Sequence, residues 1–330
     1  MTKVLITGGC GFIGGHLARR LEGAGHRVDL VDDFSRGVPD RDLKELLAKP
    51  GVRLIERDLL APGALAECDS DYDLIFHLAA IVGVANVLDR PYDVLHQNLV
   101  LLLNLLAFAE RQDDLSRFVF TSTSEIYAGT LDTFGLDIPT PESAPITVPD
   151  VRVPRTSYML SKLYGEALCL QGNVSATVVR PHNFYGPRMG LSHVIPELLQ
   201  RAHATPDGGA LEVFSPEHRR TFCFIDDAVE MVRLAAESES CAGEVLNVGR
   251  QEPEVRIEDL ARMVIDVVGR DLEVVGKPVT EGSPVRRAPD MTKTAQLTGY
   301  RARVGLEDGV RRTYAWYAEN VFAGAGISAR

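Results

Sequence analysis

Two side chains that could move a proton lie four residues apart in the middle of the chain. Tyr158 and Lys162 are separated by about one helical turn, so a helix places both on the same face. A lysine ammonium beside a phenol favours the phenolate and lowers the tyrosine pKa from its reference value of about 10. The spacing therefore predicts that Tyr158 is a general base that works near neutral pH.

A run of hydroxyl and carboxyl side chains ends a predicted strand upstream of this pair. Ser122, Thr123, Ser124 and Glu125 follow one another directly after apolar residues. Ligands of open α/β sheets bind outside the carboxyl ends of the strands, where these side chains would lie. We therefore expect them to form one catalytic and binding site together with Tyr158.

Three glycines at G-x-x-G-x-x-G spacing connect the first predicted strand to the first predicted helix. Gly8 allows a tight turn, Gly11 lets backbone amides approach a pyrophosphate, and Gly14 permits close packing of helix on strand. The N-terminus of the helix adds partial positive charge. The loop, with Phe12 and Ile13, predicts a dinucleotide-binding site.

The second predicted strand ends in two carboxylates, Asp32 and Asp33. Asp32 stands 18 residues after Gly14, where a carboxylate accepts hydrogen bonds from an adenosine ribose. Because a carboxylate would repel a 2′-phosphate, we predict NAD rather than NADP as the cofactor. Arg36 is the one nearby residue that favours NADP.

Short β-branched runs alternate with helical stretches through the first half of the chain. The runs predict buried parallel strands at 4–7, 28–31, 53–56, 74–77, 118–122 and 176–179. Covering helices are predicted at 12–23, 40–48, 92–112 and 157–171. The predicted fold class is α/β, a Rossmann-type doubly wound parallel sheet with a smaller mixed α/β substrate-binding cap.

The domain prediction follows the point at which this alternation becomes irregular. Residues 1–185 are predicted to form the cofactor-binding domain, with a strand and helix near 222–250 returning to it. Residues 186–330 are predicted to form mainly the cap. The Pro-, Asp- and Thr-rich stretch 129–154 is too long for a simple connector, so we expect it to border the active site.

Composition excludes several classes of protein. The chain has 330 residues, of which 45% are hydrophobic and 25% charged, as in soluble globular proteins. Its net charge of −11 repels nucleic acid, and its longest apolar stretch is shorter than the roughly 18 residues of a membrane span. A strand begins by Val4, which leaves no room for a signal peptide, so we expect a cytoplasmic protein.

Cysteines and histidines show no metal-ligand pattern. The five cysteines are widely spread without a C-x-x-C pair, which fits reduced thiols in the cytoplasm. The eight histidines have no ligand spacing with one another or with the cysteines. No metal site is predicted.

Taken together, these motifs resemble the extended short-chain dehydrogenase/reductases, and among them the NAD-dependent nucleotide-sugar epimerase/dehydratase family. The resemblance spans essentially the whole chain. It is carried by 7–14, Asp32, Asp58, Leu59, 77–80, Asn98, 122–127, Tyr158, Lys162, 180–188, 220–222 and 287–290.

The resemblance assigns further residues to the cofactor and the substrate. The resemblance implies that Asp58 and Leu59 contact the adenine of the cofactor. Leu78, Ala79 and Ala80 would contact the middle of the cofactor, and Ser122, Tyr158 and Lys162 would lie towards its nicotinamide ribose. Asn98 would organise the helix of the proton relay. The implied substrate contacts are Thr123, Ser124, Glu125 and Tyr158 at the sugar, Asn183, Arg220 and Arg287 at the nucleotide diphosphate, and Arg188 and Val194 elsewhere along the nucleotide sugar.

The chemistry implied by the resemblance begins with oxidation at the sugar C4. Tyr158 removes the proton of the 4-hydroxyl while a hydride leaves C4 for NAD. The main expectation is a 4-epimerase that acts on a UDP-sugar through a transient 4-keto intermediate. The alternative is a 4,6-dehydratase or a UDP-glucuronate decarboxylase, in which Glu125 assists the later step and Arg188 recognises a uronate carboxylate. A non-catalytic NAD-sensing protein is a third hypothesis, disfavoured because Thr123, Tyr158 and Lys162 are all present.

Two departures from the family lie close to the expected sugar site. The gap between Thr123 and Tyr158 is long, and Pro181 and His182 replace an aromatic pair. The identity of the sugar therefore stays open, and a non-standard sugar is one alternative. The helices near 92–112 and 157–171 pair across a twofold axis in this family, so the resemblance also implies a homodimer.

Overall fold

The computed structural model describes residues 2–279 and 284–323. The strands are β1 (Lys3–Thr7), β2 (Arg27–Asp32), β3 (Val52–Glu56), β4 (Leu74–His77), β5 (Arg117–Thr121), β6 (Ala176–Pro181), β7 (Phe184–Tyr185), β8 (Ala210–Phe214), β9 (Arg219–Arg220), β10 (Cys223–Phe224), β11 (Val245–Val248), β12 (Val255–Arg256), β13 (Glu273–Lys277) and β14 (Arg286–Arg287). The α-helices are α1 (Phe12–Gly23), α2 (Arg41–Leu47), α3 (Val84–Asp89), α4 (Pro91–Ala109), α5 (Ala128–Phe134), α6 (Pro154–Gln171), α7 (Val194–Ala204), α8 (Ile225–Glu237), α9 (Ile257–Val268), α10 (Thr292–Thr298) and α11 (Leu306–Tyr317). Short 3₁₀ turns cover Ser124–Tyr127 and Glu239–Cys241, and a π-helical turn covers Ala318–Phe322.

Seven parallel strands form the central sheet in the order β3-β2-β1-β4-β5-β6-β11. Thr7 at the end of β1 stands opposite Val31 of β2 on one side and His77 of β4 on the other. The strand order therefore reverses beside β1, and such a switch point opens a ligand crevice at the carboxyl ends of the strands. The predicted doubly wound α/β fold is confirmed.

Alternation of side chains along the strands divides the core between the two faces of the sheet. In β1, Val4 and Ile6 belong to the core that includes Leu17 of α1, whereas Leu5 faces the core that includes Leu105 of α4. All five side chains are fully buried. Each such burial contributes about 1.5–3 kcal/mol, so apolar strands of this kind require helices on both faces.

Helix α4 is the one helix in residues 2–279 and 284–323 that is long and apolar enough to span a membrane by length and composition. It packs against α6 and buries Val94, Leu101 and Leu105, as a core helix of a globular protein does. The absence of membrane partners, the cytoplasmic location and the homodimer through α4 and α6 stay predictions.

The cap is built from short sheets and helices that follow β6. β8 pairs with β13 and β9 lies between β12 and β14, while α7, α9 and α11 pack on one another. After α8, which packs on α1, the chain adds β11 to the central sheet beside β6. The proposed boundaries of the two domains stay predictions.

The shorter elements have no clear signature in the sequence. Helices α3, α5 and α10 have six or seven residues, too few for a helical period to stand out. The predicted helix 92–112 instead spans Pro91–Ala109, with the proline in the first turn, where its missing N–H costs nothing.

A glycine lets α6 approach the sheet closely. A Cβ at Gly165 would lie 2.3 Å from the Phe120 ring and 3.1 Å from Leu102. We expect Gly165→Ala to lower the free energy of unfolding by about 1–3 kcal/mol, because extra volume in a packed core forces side chains out of their preferred rotamers. Urea unfolding measures the change.

Gly23→Ala, at the end of α1, is the matched control, since a Cβ there meets no atom within 4 Å. We expect this variant to equal or slightly exceed the parent in stability, by up to about 1 kcal/mol. Equal effects of the two substitutions would contradict the close-approach argument.

Candidate active site

A cavity of about 860 Å³ opens at the carboxyl ends of the central strands. The predicted site residues that line it are Gly8, Gly11, Phe12, Ile13, Gly14, Asp32, Asp33, Asp58, Leu59, Leu78, Ala79, Ala80, Ser122, Thr123, Ser124, Glu125, Tyr158, Lys162, Asn183, Arg188 and Arg287. Three predicted residues, Asn98, Val194 and Arg220, are not among the described lining residues. The stretch 129–154, expected from its sequence to border the active site, contributes none of the described lining residues.

The glycine loop leaves no room for larger side chains at two positions. Gly8 has φ 69°, and a Cβ there would lie 2.8 Å from the backbone nitrogen of Ala79. At Gly14 a Cβ would lie 2.2 Å from the carbonyl oxygen of Gly8. The loop therefore folds tightly upon itself and opens the N-terminus of α1 towards the cavity, as pyrophosphate binding requires.

The Asp32 carboxylate stabilises the loops on both sides of it. Its Oδ2 accepts a hydrogen bond from the backbone N–H of Cys10, and its Oδ1 accepts one from that of Phe34, both at 2.9 Å. Burial raises the pKa of Asp32. Because each carboxylate oxygen can accept a further bond, the group can still receive ribose hydroxyls.

Tyr158 and Lys162 project from one face of α6 into the cavity. The Thr123 hydroxyl lies close enough to the Tyr158 hydroxyl to lower its pKa. The Lys162 ammonium donates to the Thr121 carbonyl oxygen at 2.8 Å and lies 5.9 Å from the centroid of the Tyr158 ring. The structure thus brings together the predicted base, hydroxyl and lysine.

The predicted lowering of the tyrosine pKa is wrong for this structure. Burial raises the pKa of Tyr158 to about 12, and the nearby Glu125 carboxylate adds to the rise. The nearby Thr123 hydroxyl and Arg36 lower the pKa, but burial outweighs them. Burial also lowers the pKa of Lys162 to about 8, so removal from water sets the direction of the pKa shift for both groups.

Glu125 and Arg287 form an ion pair at the cavity wall. The Arg287 Nη2 lies 2.9 Å from Glu125 Oε1, and the two side chains are 23% and 46% exposed. Thr123 caps the 3₁₀ turn that carries Glu125 by accepting its backbone N–H at 3.2 Å. A charged pair therefore lies next to the hydroxyl that contacts Tyr158.

A buried polar cluster behind the site connects α6 to the sheet. The Arg180 guanidinium makes two hydrogen bonds to the Glu166 carboxylate, at 2.9 and 2.7 Å, and Ser122 donates to the same carboxylate at 2.5 Å. Glu166 is not among the site residues predicted from the sequence. Its signal was present, because Tyr158, Lys162 and Glu166 follow one another at four-residue spacing on one helix face.

Asn98 lies beside the cavity and is not one of its described lining residues. Its side chain accepts the backbone N–H of Ile81 at 2.7 Å and donates to the Ile81 carbonyl oxygen at 3.1 Å. It also donates to the Ser161 hydroxyl at 3.3 Å, one residue before Lys162. This contact connects α4 and α6, which agrees with the predicted organising role without testing it.

The remaining cap residues lie in different surroundings. Arg188 lies against the glycine loop, where its guanidinium pairs with buried Asp40 at 2.6 Å and donates to the Cys10 carbonyl oxygen at 3.2 Å. Arg220 donates to backbone carbonyl oxygens of Arg219 and Val285, at 2.7 and 3.2 Å. The structure thus commits both guanidinium groups to protein partners, and their substrate roles stay predictions.

Val194 and Asn183 differ in their relation to the cavity. Val194 begins α7 and packs against the hydrophobic core. Asn183 lines the cavity in the left-handed region, with φ 45°, and its side chain donates to the Thr221 carbonyl oxygen at 2.9 Å. Their predicted contacts with the substrate are not tested by these positions.

Comparison with known proteins identifies the family. A sequence model described as the NAD-dependent epimerase/dehydratase family matches residues 4–249. The chain belongs to this family. It is an NAD-dependent enzyme that modifies nucleotide sugars, as the resemblance of its motifs predicts.

Proteins that catalyse three different reactions are similar to this chain. UDP-N-acetyl-alpha-D-glucosaminuronate decarboxylase of Bacillus cytotoxicus is 31% identical, over 96% of this chain and 98% of that protein. UDP-glucose 4-epimerase of Thermotoga maritima superposes with a TM-score of 0.83 at 26% identity, over 97% of this chain and 100% of that one. The dTDP-glucose 4,6-dehydratase DesIV of Streptomyces venezuelae, solved with NAD bound, gives 0.82 and 26%, over 97% and 98%.

The residues present fit the NAD that the family uses. A side chain at Gly8 or Gly14 would collide with backbone atoms of the loop, and Asp32 stands at the end of β2. Lys162 and Tyr158 lie in the same cavity as these residues. The glycine loop and Asp32 would hold the adenosine and pyrophosphate, and Lys162 the nicotinamide ribose.

The lowered pKa of Lys162 predicts how stability depends on pH in the ligand-free protein. Its pKa is about 8 when folded, against an ordinary value of 10.5, so the unfolded chain binds this proton more tightly. Between these two pH values the free energy of unfolding should therefore rise with pH by up to about 3 kcal/mol from this group.

Lys162→Met removes the proton-binding group and with it this rise. We expect the stability advantage of the variant over the parent to be largest near neutral pH. The advantage should shrink by about that amount towards pH 10.5, because other titrating groups cancel in the comparison. Urea unfolding of both proteins across this range measures it, and a constant difference would contradict the prediction.

Proposed function

We propose that this protein is an NAD-dependent decarboxylase of a UDP-uronic acid. The observation that carries the proposal is the Glu125–Arg287 ion pair beside Thr123 and Tyr158. Oxidation and reduction at C4 of a neutral sugar need a base and a hydride acceptor but no such charge pair. A substrate carboxylate, by contrast, needs a local cation on a chain of net charge −11.

Arg287 is the cation that this proposal assigns to the carboxylate. Its guanidinium lines the cavity, and Glu125, its partner, is only two residues from Thr123. The sequence analysis placed Arg287 at the diphosphate instead. Its position beside the hydroxyl that contacts the base favours the sugar end of the substrate.

The reaction at the sugar follows from these positions. Bound NAD would supply the acceptor for the hydride of C4 and the donor for its return. Tyr158 would receive the proton of the 4-hydroxyl, and the nearby Thr123 hydroxyl favours the phenolate. A ketone at C4 then makes the sugar a β-keto acid.

Loss of carbon dioxide completes the proposed sequence. The bond between C5 and the carboxylate breaks, its electron pair forms an enolate at C4 and C5, and a proton from the medium returns to C5. Return of the hydride and of the Tyr158 proton gives a UDP-pentose, so the reaction consumes one proton without net oxidation. The 31% identity to a UDP-uronate decarboxylase over most of both chains also supports this assignment.

A 4-epimerase is the second candidate, and it was the main expectation from the sequence. The fold similarity to UDP-glucose 4-epimerase favours it. The first step would be the same, with Tyr158 taking the proton of the 4-hydroxyl. The difference lies in whether the hydride returns to the other face of an intact sugar.

Product analysis distinguishes the candidates. We expect UDP-glucuronate or UDP-N-acetylglucosaminuronate, incubated with the NAD-loaded protein, to give carbon dioxide and a UDP-pentose in equal amounts by NMR. UDP-glucose and dTDP-glucose serve as neutral comparisons. A C4 epimer without carbon dioxide would identify an epimerase, and a 4-keto-6-deoxy sugar would identify a dehydratase; either result would contradict the proposal.

Neighbouring arginines provide a matched test of the carboxylate contact. We expect Arg287→Gln to lower kcat/KM for the UDP-uronate at least about 30-fold, since losing a desolvated charge contact costs about 2 kcal/mol or more. Arg286→Gln should change it little, because Arg286 is half exposed and pairs with Glu254 at 2.6 Å. Equal effects of the two substitutions would argue against a role for Arg287 at the carboxylate.

A further inference from the structure

The Asn247 side chain in β11 uses its full hydrogen-bonding capacity in the buried interior. Its amide nitrogen donates to the carbonyl oxygens of Thr140 and Asp290, at 3.0 and 3.3 Å. Its amide oxygen accepts from the Tyr127 hydroxyl at 3.2 Å and from His182 Nε2 at 3.0 Å. Four separate segments of the chain therefore meet at one fully buried amide.

The chemistry of these partners requires an amide at this position. His182 is neutral, since burial lowers its pKa to about 3, and its Nε2 must carry the proton that the Asn247 oxygen accepts. On the other side, two carbonyl oxygens require two N–H donors. An aspartate has the same shape but would bring negative charge towards both carbonyl oxygens.

Two of the four segments carry the ion pair of the cavity. Tyr127 belongs to the same 3₁₀ turn as Glu125, two residues away. Asp290 follows Arg287 by three residues, and the Asp290 carbonyl oxygen receives a hydrogen bond from Asn247. The amide thus joins the segment of the carboxylate to the segment of the guanidinium behind the 2.9 Å contact of the pair.

The long stretch 129–154 enters the same network from outside the cavity. Thr140 donates its N–H to the Ala288 carbonyl oxygen and accepts the N–H of Asp290, both at 2.8 Å. Glu142 Oε1 accepts the backbone N–H of Asn247 at 2.8 Å. The stretch therefore forms a brace against the segment that follows Arg287, although no described residue of it lines the cavity.

We propose that Asn247 is a positioning residue that fixes Arg287 relative to Glu125, with Thr140 and Glu142 bracing the same segment. The geometric part of this proposal stands on the hydrogen bonds alone. Its consequence for uronate turnover rests on the proposed function. It assigns to the unusually long stretch a role in substrate specificity, exerted through the Arg287 segment.

Asn247→Asp tests the proposal with the least change in volume. We expect kcat/KM for the substrate to fall at least about tenfold in the NAD-loaded enzyme, with NAD affinity unchanged. Because Asn247 acts through Arg287, adding Asn247→Asp to Arg287→Gln should cost less than about twofold more. If the fold-loss of kcat/KM in the double variant equals the product of the two single fold-losses, the proposal is overturned.

Amide hydrogen exchange provides a readout that does not depend on the reaction. In Asn247→Asp the amides of Thr140 and Asp290, which bond across the brace, should exchange at least about tenfold faster than in the parent. Unchanged exchange at both amides would overturn the proposal whatever the substrate is. If the parent releases no carbon dioxide from UDP-uronates, the proposed function fails while this measurement still decides the positioning role.

Two further variants guard against general destabilisation. Glu142→Leu replaces half-buried Glu142 and removes the acceptor of the Asn247 N–H, so it should lower kcat/KM in part. Glu142→Gln keeps an oxygen acceptor and should restore activity. Thr177→Val removes another fully buried hydrogen bond, from Thr177 in β6 to the Cys241 carbonyl oxygen at 2.6 Å, remote from the site. It should leave kcat/KM unchanged, and a loss equal to that of Asn247→Asp would overturn the proposal.

Discussion

The buried ion pair between Glu166 and Arg180 connects the sheet to α6, the helix that carries the candidate catalytic groups. Their side chains are only 5% and 4% exposed, and the guanidinium contacts both carboxylate oxygens. Removing one partner would leave an uncompensated charge in the interior, at a cost of about 3–5 kcal/mol. Because Tyr158 and Lys162 lie on the same face of α6 as Glu166, fixing this carboxylate against β6 also fixes their height above the sheet.

Local patterns made most of the cofactor side predictable from the sequence. The glycine loop, Asp32 and the Tyr158–Lys162 pair depend on residues close together in the chain, and the structure brings all of them to one cavity. The cap was less predictable, because Arg188 is held by Asp40 from a distant part of the chain. The direction of the Tyr158 pKa was missed for a related reason: burial depends on the whole fold, whereas spacing reports only the neighbouring lysine.

The charge distribution explains how an acidic chain can handle an anionic substrate. The net charge of −11 acts over the whole surface, but interactions at the cavity wall are decided by the nearest groups. Arg287 supplies positive charge there, and Glu125 pairs with it. A fold alone does not determine chemistry, and proteins similar to this chain carry out three different reactions.

β11 returns to the central sheet after the first part of the cap. The chain order therefore interleaves the strands of the sheet with those of the cap. A fragment that stops at residue 185 would lack β11 and α8, so β6 would become a bare sheet edge and α1 would lose the helix that packs on it. Exposed edges of this kind promote aggregation. The central sheet is therefore built from two separate parts of the chain, and no single cut separates its strands from those of the cap.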